Sequence, residues 1–159
     1  DALSVVAPEL RLDIYGRAEE ADKIRFAQHP NIRFHGFVPS ESLRGIADRS
    51  DILLHVESFQ AEIASRLRYA FSTKLAQYLC AGRPVLCYAP ADSASAEYLK
   101  RENGALVAVN RSELQNGLSQ LIRDPALRTR YADRAKQLGL KNHNRETTAA
   151  YVRQEIEAL

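Results

Sequence analysis

The sequence predicts an α/β fold: a parallel sheet flanked by helices, followed by an all-helical C-terminal tail. Three observations predict it. Short apolar runs alternate with longer amphipathic stretches, the rhythm of strands joined by right-handed crossover helices. One run, DILLHV at 51–56, has the unbroken apolar centre of a strand covered on both faces. After residue 109 no strand pattern recurs and only helical periodicity remains.

The elements follow in order. LRLDIY (10–15) alternates and stops at Gly16, a strand and its turn. Residues 19–28 are charged, with apolar positions at Ile24 and Ala27, and read as a short helix ending before His29-Pro30-Asn31. IRFHGF (32–37) is a second strand, and Pro39-Ser40 opens a helix through Ile46 with Leu43 and Ile46 on one face. DILLHV is the third strand, followed by a long polar connection over 57–71. A helix then starts at Ser72 and ends at Gly82, where glycine permits a left-handed turn and Pro84 forbids continuation. Residues 84–88 form the fourth strand, a helix lies near 93–101, and ALVAV (105–109) is the fifth strand. Helices beginning at Ser112 and Pro125 and spanning 145–158 complete the chain. Residues 1–8 read as the end of a helix. With no initiator Met, this predicts a single domain over 1–159 that lacks its first strand, with no internal repeat and no second domain.

Composition narrows the function classes. The chain has 159 residues, 45% hydrophobic and 26% charged, enough for one globular core. A net charge of +2 argues against a dedicated nucleic-acid binder. Cys80 and Cys87 have no metal-type spacing and read as reduced thiols of a reducing, cytoplasmic compartment. The four histidines lack ligand spacing as well, so no metal is expected. His55 and His35 read as structural or packing residues, and His29 and His143 as surface residues. No run approaches the roughly 18 apolar residues of a membrane span, and no signal peptide is visible.

In open α/β sheets ligands lie beyond the carboxyl ends of the strands. That rule selects Gly16-Arg17, Gly36-Phe37-Val38, Glu57-Ser58 and the stretch from Ala89 to Ser95, including Ser93 and Ser95. The helix opening at Ser72 joins them as an anion site, because its first N–H groups are unpaired and its dipole end is positive. Ser72 is the N-cap; Thr73 adds a hydroxyl and Lys74 a cation. There is no G-x-G-x-x-G after the first strand and no Walker A pattern, which excludes ordinary dinucleotide and P-loop sites. Arg66 and Arg68 read as solvent-facing, Tyr98 and Tyr131 as half-buried. Tyr151, Val152 and Ile156 form an apolar stripe on the last helix.

KLAQYLCAGRPVLCY resembles the helix-Gly-x-Pro-strand signature of retaining glycosyltransferases of GT-B architecture (glycosyl transferases group 1), in their C-terminal, nucleotide-sugar-binding domain. The flanking LRLDIYG, NIRFHGFVPSESLRGIADRSDILLH, ENGALVAV and LIRDPALRTRYADRAKQL agree in order and extend the resemblance over nearly the whole chain. It implies a Rossmann-like domain, one half of a GT-B enzyme whose N-terminal acceptor domain is absent from this chain. No cofactor is implied. The substrate would be a UDP-, GDP- or dTDP-sugar, the acceptor a glycan or lipid-linked molecule held by the other half. Peripheral association of the full-length protein with the inner face of the membrane is also implied, as is a bacterial glycan product.

By position, the resemblance implies that Ser72, Thr73, Lys74 and Arg17 serve the diphosphate, and that Gln77, Gly36, Phe37 and Val38 serve ribose and base. Ser93 and Ser95 would reach sugar or phosphate. Gln77 and Tyr69 stand where the family's paired glutamates fall. Glu57, Glu62 or Tyr69 is left to approach the reacting sugar, and Tyr69 is no substitute for a carboxylate. A non-catalytic nucleotide-sugar-binding or regulatory module is the alternative. A receiver-like signalling domain is disfavoured, because Tyr15-Gly16-Arg17 stands where its acidic pocket would be.

Overall fold

The computed structural model describes residues 10–158; the helix end expected over 1–8 lies outside the described residues. The chain divides between Ile46 and Ala47 into two compact units. Among the described residues all strand pairing is parallel, as crossover connections demand, and five strands are shared between two sheets.

The first unit contains β1 (Leu12–Tyr15), α1 (Glu20–Ala27) and β2 (Ile32–Gly36). Leu12 pairs with Ile32 and Ile14 with Phe34, and the register then slips so that Tyr15 meets Gly36. Phe26 of α1 lies 5.8 Å from Phe34 of β2, which seats the helix on the sheet. Helix α2 (Ser40–Asp48) begins in this unit and ends in the next.

The second unit holds β3 (Leu53–Val56), α3 (Ala61–Leu67), α4 (Thr73–Ala81), β4 (Val85–Tyr88), α5 (Ala94–Arg101) and β5 (Leu106–Ala108). Helices α6 (Arg111–Arg123), α7 (Pro125–Asn142) and α8 (Arg145–Glu157) follow. The sheet order is β3-β4-β5. β4 is central, and Val85, Leu86 and Cys87 are all buried, as a strand covered on both faces requires. Leu75 and Leu79, one helical repeat apart on α4, are fully buried in the core with Val85, Cys87, Ala96, Leu99 and Ala135.

Local chemistry sets the boundaries. Gly82 closes α4 at φ 67°, the left-handed cap read from the sequence. Asn110 caps α6 by accepting from Glu113 N–H at 2.9 Å, while Glu113 accepts from Val109 N–H at 3.0 Å and from the Asn110 side-chain amide at 2.7 Å. The expected Ser112 start is therefore advanced to Arg111. Asp124 caps α7 through Leu127 N–H at 2.9 Å with Pro125 in its first turn. Arg128 then donates to the free carbonyls of Leu121 and Ile122 at the end of α6. The connection 57–71, read as a long loop, contains α3, so its backbone satisfies part of its own hydrogen bonding.

Candidate functional site

The start of α4 differs from those of the helices after it. Ser93, Asn110, Asp124 and Asn144 each cap α5, α6, α7 and α8 with a side-chain oxygen. Ser72 occupies the N-cap of α4 with extended backbone (φ −71°, ψ 121°), yet its hydroxyl makes no capping bond. Its carbonyl accepts from Leu75 N–H at 3.1 Å. The Thr73 and Lys74 N–H groups have no bond among the described residues, and both side chains are exposed. Free amides, a positive dipole end, a hydroxyl and an ammonium thus converge on one exposed turn. Gln77, four residues beyond Thr73, is also exposed and shares that face of the helix.

The stretch before α4 lies along the start of α5. Arg68 Nε donates to Asp92 Oδ2 at 2.6 Å, and the Phe71 ring meets the Tyr98 ring edge-on at 5.1 Å. Ser72 N–H reaches Ser95 Oγ at 3.5 Å, the limit for such a bond. The two serines selected at the carboxyl end of β4 are both fully buried. Ser93 accepts from Ala96 N–H as the cap of α5, and Ser95 faces Ser72. Their hydroxyls serve the protein's own backbone.

Glu57 follows β3 and is buried, with Oε1 3.1 Å from His55 Nε2 and Oε2 lacking any hydrogen-bond partner. Residues 53, 55 and 57 share one face of the strand, the face of the neighbouring Val85, Cys87 and Ala89. Burial, reinforced by the Glu57 charge and opposed by Lys100, pushes the Cys87 thiol up to about 12. Tyr69 is 90% exposed, and Glu62 is exposed on α3.

In the first unit, Gly16 (φ 142°) and Gly36 (φ 75°) end their strands in backbone conformations that favour glycine. The Arg17 guanidinium lies 5.5 Å from the centroid of the Phe37 ring, a cation–π contact on an aromatic side chain that stays 69% exposed. Val38 beside it is half-buried. His35, read as a packing residue, is instead an exposed partner of Asp13 at 2.6 Å and stacks on Tyr15 at 4.5 Å. Asp13 feels burial, which raises its pKa, but hydrogen bonds from His35 and Arg11 outweigh it and hold the carboxyl below its usual range.

One reading is corrected in the second unit. His143, expected at the surface, is half-buried against Phe71 (5.6 Å, rings nearly parallel), and burial lowers its pKa. Its Nε2 lies 2.9 Å from the Tyr98 hydroxyl, within hydrogen-bond distance, and Asn142 donates to the same hydroxyl oxygen at 3.0 Å. Arg68 is exposed, as read, and is ion-paired to Asp92. No spacing signal could have linked Phe71, Tyr98 and His143, because only the folded chain brings them together. Among the described residues, no group of three or more His, Cys, Asp or Glu side chains could hold a metal, and no helix is long and apolar enough to cross a membrane.

A family model described as glycosyl transferase-like matches residues 1–154. The curated proteins contain no match. Among solved structures, the chain is similar to the crystal structure of WaaG, a glycosyltransferase involved in lipopolysaccharide biosynthesis. The identity is 21% over 89% of this chain, with a TM-score of 0.66. That likeness is one of fold, and this chain spans 38% of the WaaG chain's length.

Proposed function

The chain belongs to the glycosyl transferase-like family, and from that premise we propose that it is the donor-binding domain of a nucleotide-sugar-dependent glycosyltransferase. The observation that carries this reading is the start of α4, where the Thr73 and Lys74 amides are free and their side chains exposed. The ligand is the diphosphate of a UDP-, GDP- or dTDP-sugar. Gln77 offers both an acceptor and a donor to ribose hydroxyls. Within the first unit, the turn Gly36-Phe37-Val38 offers a surface for a base, and Arg17 a cation beside it.

The chemistry asks for charge stabilisation more than for a protein nucleophile. The bond between the anomeric carbon and the diphosphate oxygen breaks, a bond to an acceptor hydroxyl oxygen forms, and the acceptor's proton passes to the departing diphosphate. Negative charge grows on the leaving diphosphate, where preorganised amides, the dipole of α4 and Lys74 meet it without reorganisation. The acceptor, a glycan or lipid-linked molecule, is held by a second domain outside this chain. Alone, this chain binds the donor nucleotide and transfers nothing.

Calorimetric titration with UDP, GDP and dTDP tests the reading. One nucleotide is expected to bind selectively. Lys74→Ala should weaken it by about tenfold through loss of a charge-assisted contact. Thr73→Pro, which removes one amide at a helix position that tolerates proline, should weaken it as well. Binding unaffected by both substitutions, or no binding of any nucleotide, overturns the placement.

One observation favours a second reading, a non-catalytic binding module. At the positions of the family's paired glutamates stand the exposed Tyr69 and Gln77, and Glu57 is buried. A full-length protein that binds the nucleotide-sugar but neither transfers nor slowly hydrolyses it belongs to this second class.

A further inference from the structure

Residues 68–72 are joined to the start of α5 by contacts of three different kinds. The first is ionic: Arg68 Nε and Nη2 both converge on Asp92 Oδ2, at 2.6 and 2.5 Å. The second is aromatic: Phe71 sits edge-on to Tyr98 and flat over His143. The third is the long contact between Ser72 N–H and Ser95 Oγ. The aromatic contact is indifferent to nearby charge. The ionic one is not, and it stands beside the turn where Thr73 and Lys74 present their free amides.

The pair is built to exchange. Its side chains are 57% and 48% exposed, so the bond adds little to stability and resists opening only slightly. Both engaged nitrogens are spent on one carboxylate oxygen, which leaves the flat guanidinium fork unmatched. A phosphate offers that fork several oxygens and a larger charge. Asp92 does not depend on Arg68, because it directly precedes Ser93, the cap of α5, where the helix dipole favours negative charge. The distance to cover is short. Asp92 is three residues before Ser95, whose hydroxyl faces Ser72 N–H, and three residues span roughly 10 Å at full extension.

We propose that Arg68 is an additional ligand for the donor diphosphate, held on Asp92 in the unliganded chain and passed to the phosphate oxygens when the nucleotide occupies the start of α4. Asp92 is then a built-in competitor that weakens binding. This inference rests on the reading of α4 given above, and it assigns roles of opposite sign to two residues that a merely structural bridge would treat alike.

The test is calorimetric titration of the 159-residue chain with UDP and, separately, inorganic pyrophosphate at low salt. Arg68→Gln is expected to weaken both ligands by about tenfold, and Asp92→Asn to tighten both by about threefold. Asp92→Ser repeats the sign test with a residue that also suits a helix start. Arg66→Gln, on α3, should leave affinity unchanged. Equal weakening by the Arg68 and Asp92 substitutions, or no effect of either, overturns the inference. If Lys74→Ala weakens binding while Arg68→Gln does not, the inference falls alone and the α4 site stands. If the wild-type chain binds neither ligand, or Lys74→Ala is without effect, the α4 site falls and takes the inference with it.

Discussion

Single residues in this protein take their chemistry from what surrounds them. Cys87 is the clearest case. Buried on the central strand beside the Glu57 carboxylate, its thiol is pushed up to about 12 and stays protonated at neutral pH. A thiol-specific reagent at pH 7.5 should therefore leave Cys87 untouched in the folded chain and modify it once the chain is unfolded, as mass mapping of the labelled peptide would reveal. Rapid labelling of Cys87 under native conditions would contradict the burial. The histidines make the same point differently. His143 looks like a surface residue in sequence, yet it is stacked on Phe71 and bonded to Tyr98. Residue type and position along the chain were legible for Ser72, Thr73 and Lys74, since a polar triplet before an amphipathic run marks a helix start. That Ser93 and Ser95 turn inward was not, because the direction of a hydroxyl depends on which backbone amide reaches it first.

At the scale of elements, close approach decides what substitutions the helices accept. α4 and α7 cross at Gly139, where a Cβ would lie 2.7 Å from Cys80 N and 2.8 Å from the Leu79 carbonyl carbon. Both are backbone atoms and cannot swing aside. Gly139→Ala should destabilise the protein by about 2–3 kcal/mol, read as a lowered urea midpoint with an unchanged slope. At Gly104 the obstructing atom is Leu138 Cδ2, the end of a flexible side chain, so Gly104→Ala should cost less. Gly82→Ala is strained for another reason: φ at 67° suits glycine, and the change should cost about 1 kcal/mol. Of these three, only Gly82 announced itself in the sequence, through the neighbouring Pro84. The order of elements from β1 onward was legible because strand and helix periods differ. α3 was hidden, since seven helical residues in a polar connection carry too little periodicity to register.

For the whole molecule, stability inherits the pH dependence of its half-buried titrating groups. Burial sets the His143 pKa below its ordinary value of 6.5. Between that lowered value and 6.5 the unfolded chain binds the proton that the folded chain refuses, so stability rises with pH across this window and is lost as pH falls through it. Asp13 works lower: its depressed pKa stabilises the fold above the ordinary 3.8, and that contribution disappears as pH drops toward the folded value. Thermal melts from pH 5 to 7.5 should show a falling midpoint below about pH 6.5. His143→Gln should flatten that fall, and an unchanged slope in the variant would remove His143 as its cause. The sequence by itself determined the parallel α/β architecture and the position of the helix start at Ser72-Thr73. These follow from periodicity, capping chemistry and glycine geometry, all local along the chain; the family it showed through the motifs that resemble it. Only the tertiary structure decided that Arg68 meets Asp92, that Glu57 is buried against His55, and that Phe71, Tyr98 and His143 form one cluster. The long-range contacts among these depend on how strands and helices pack, and no spacing in the chain encodes a distance between residues 71 and 143.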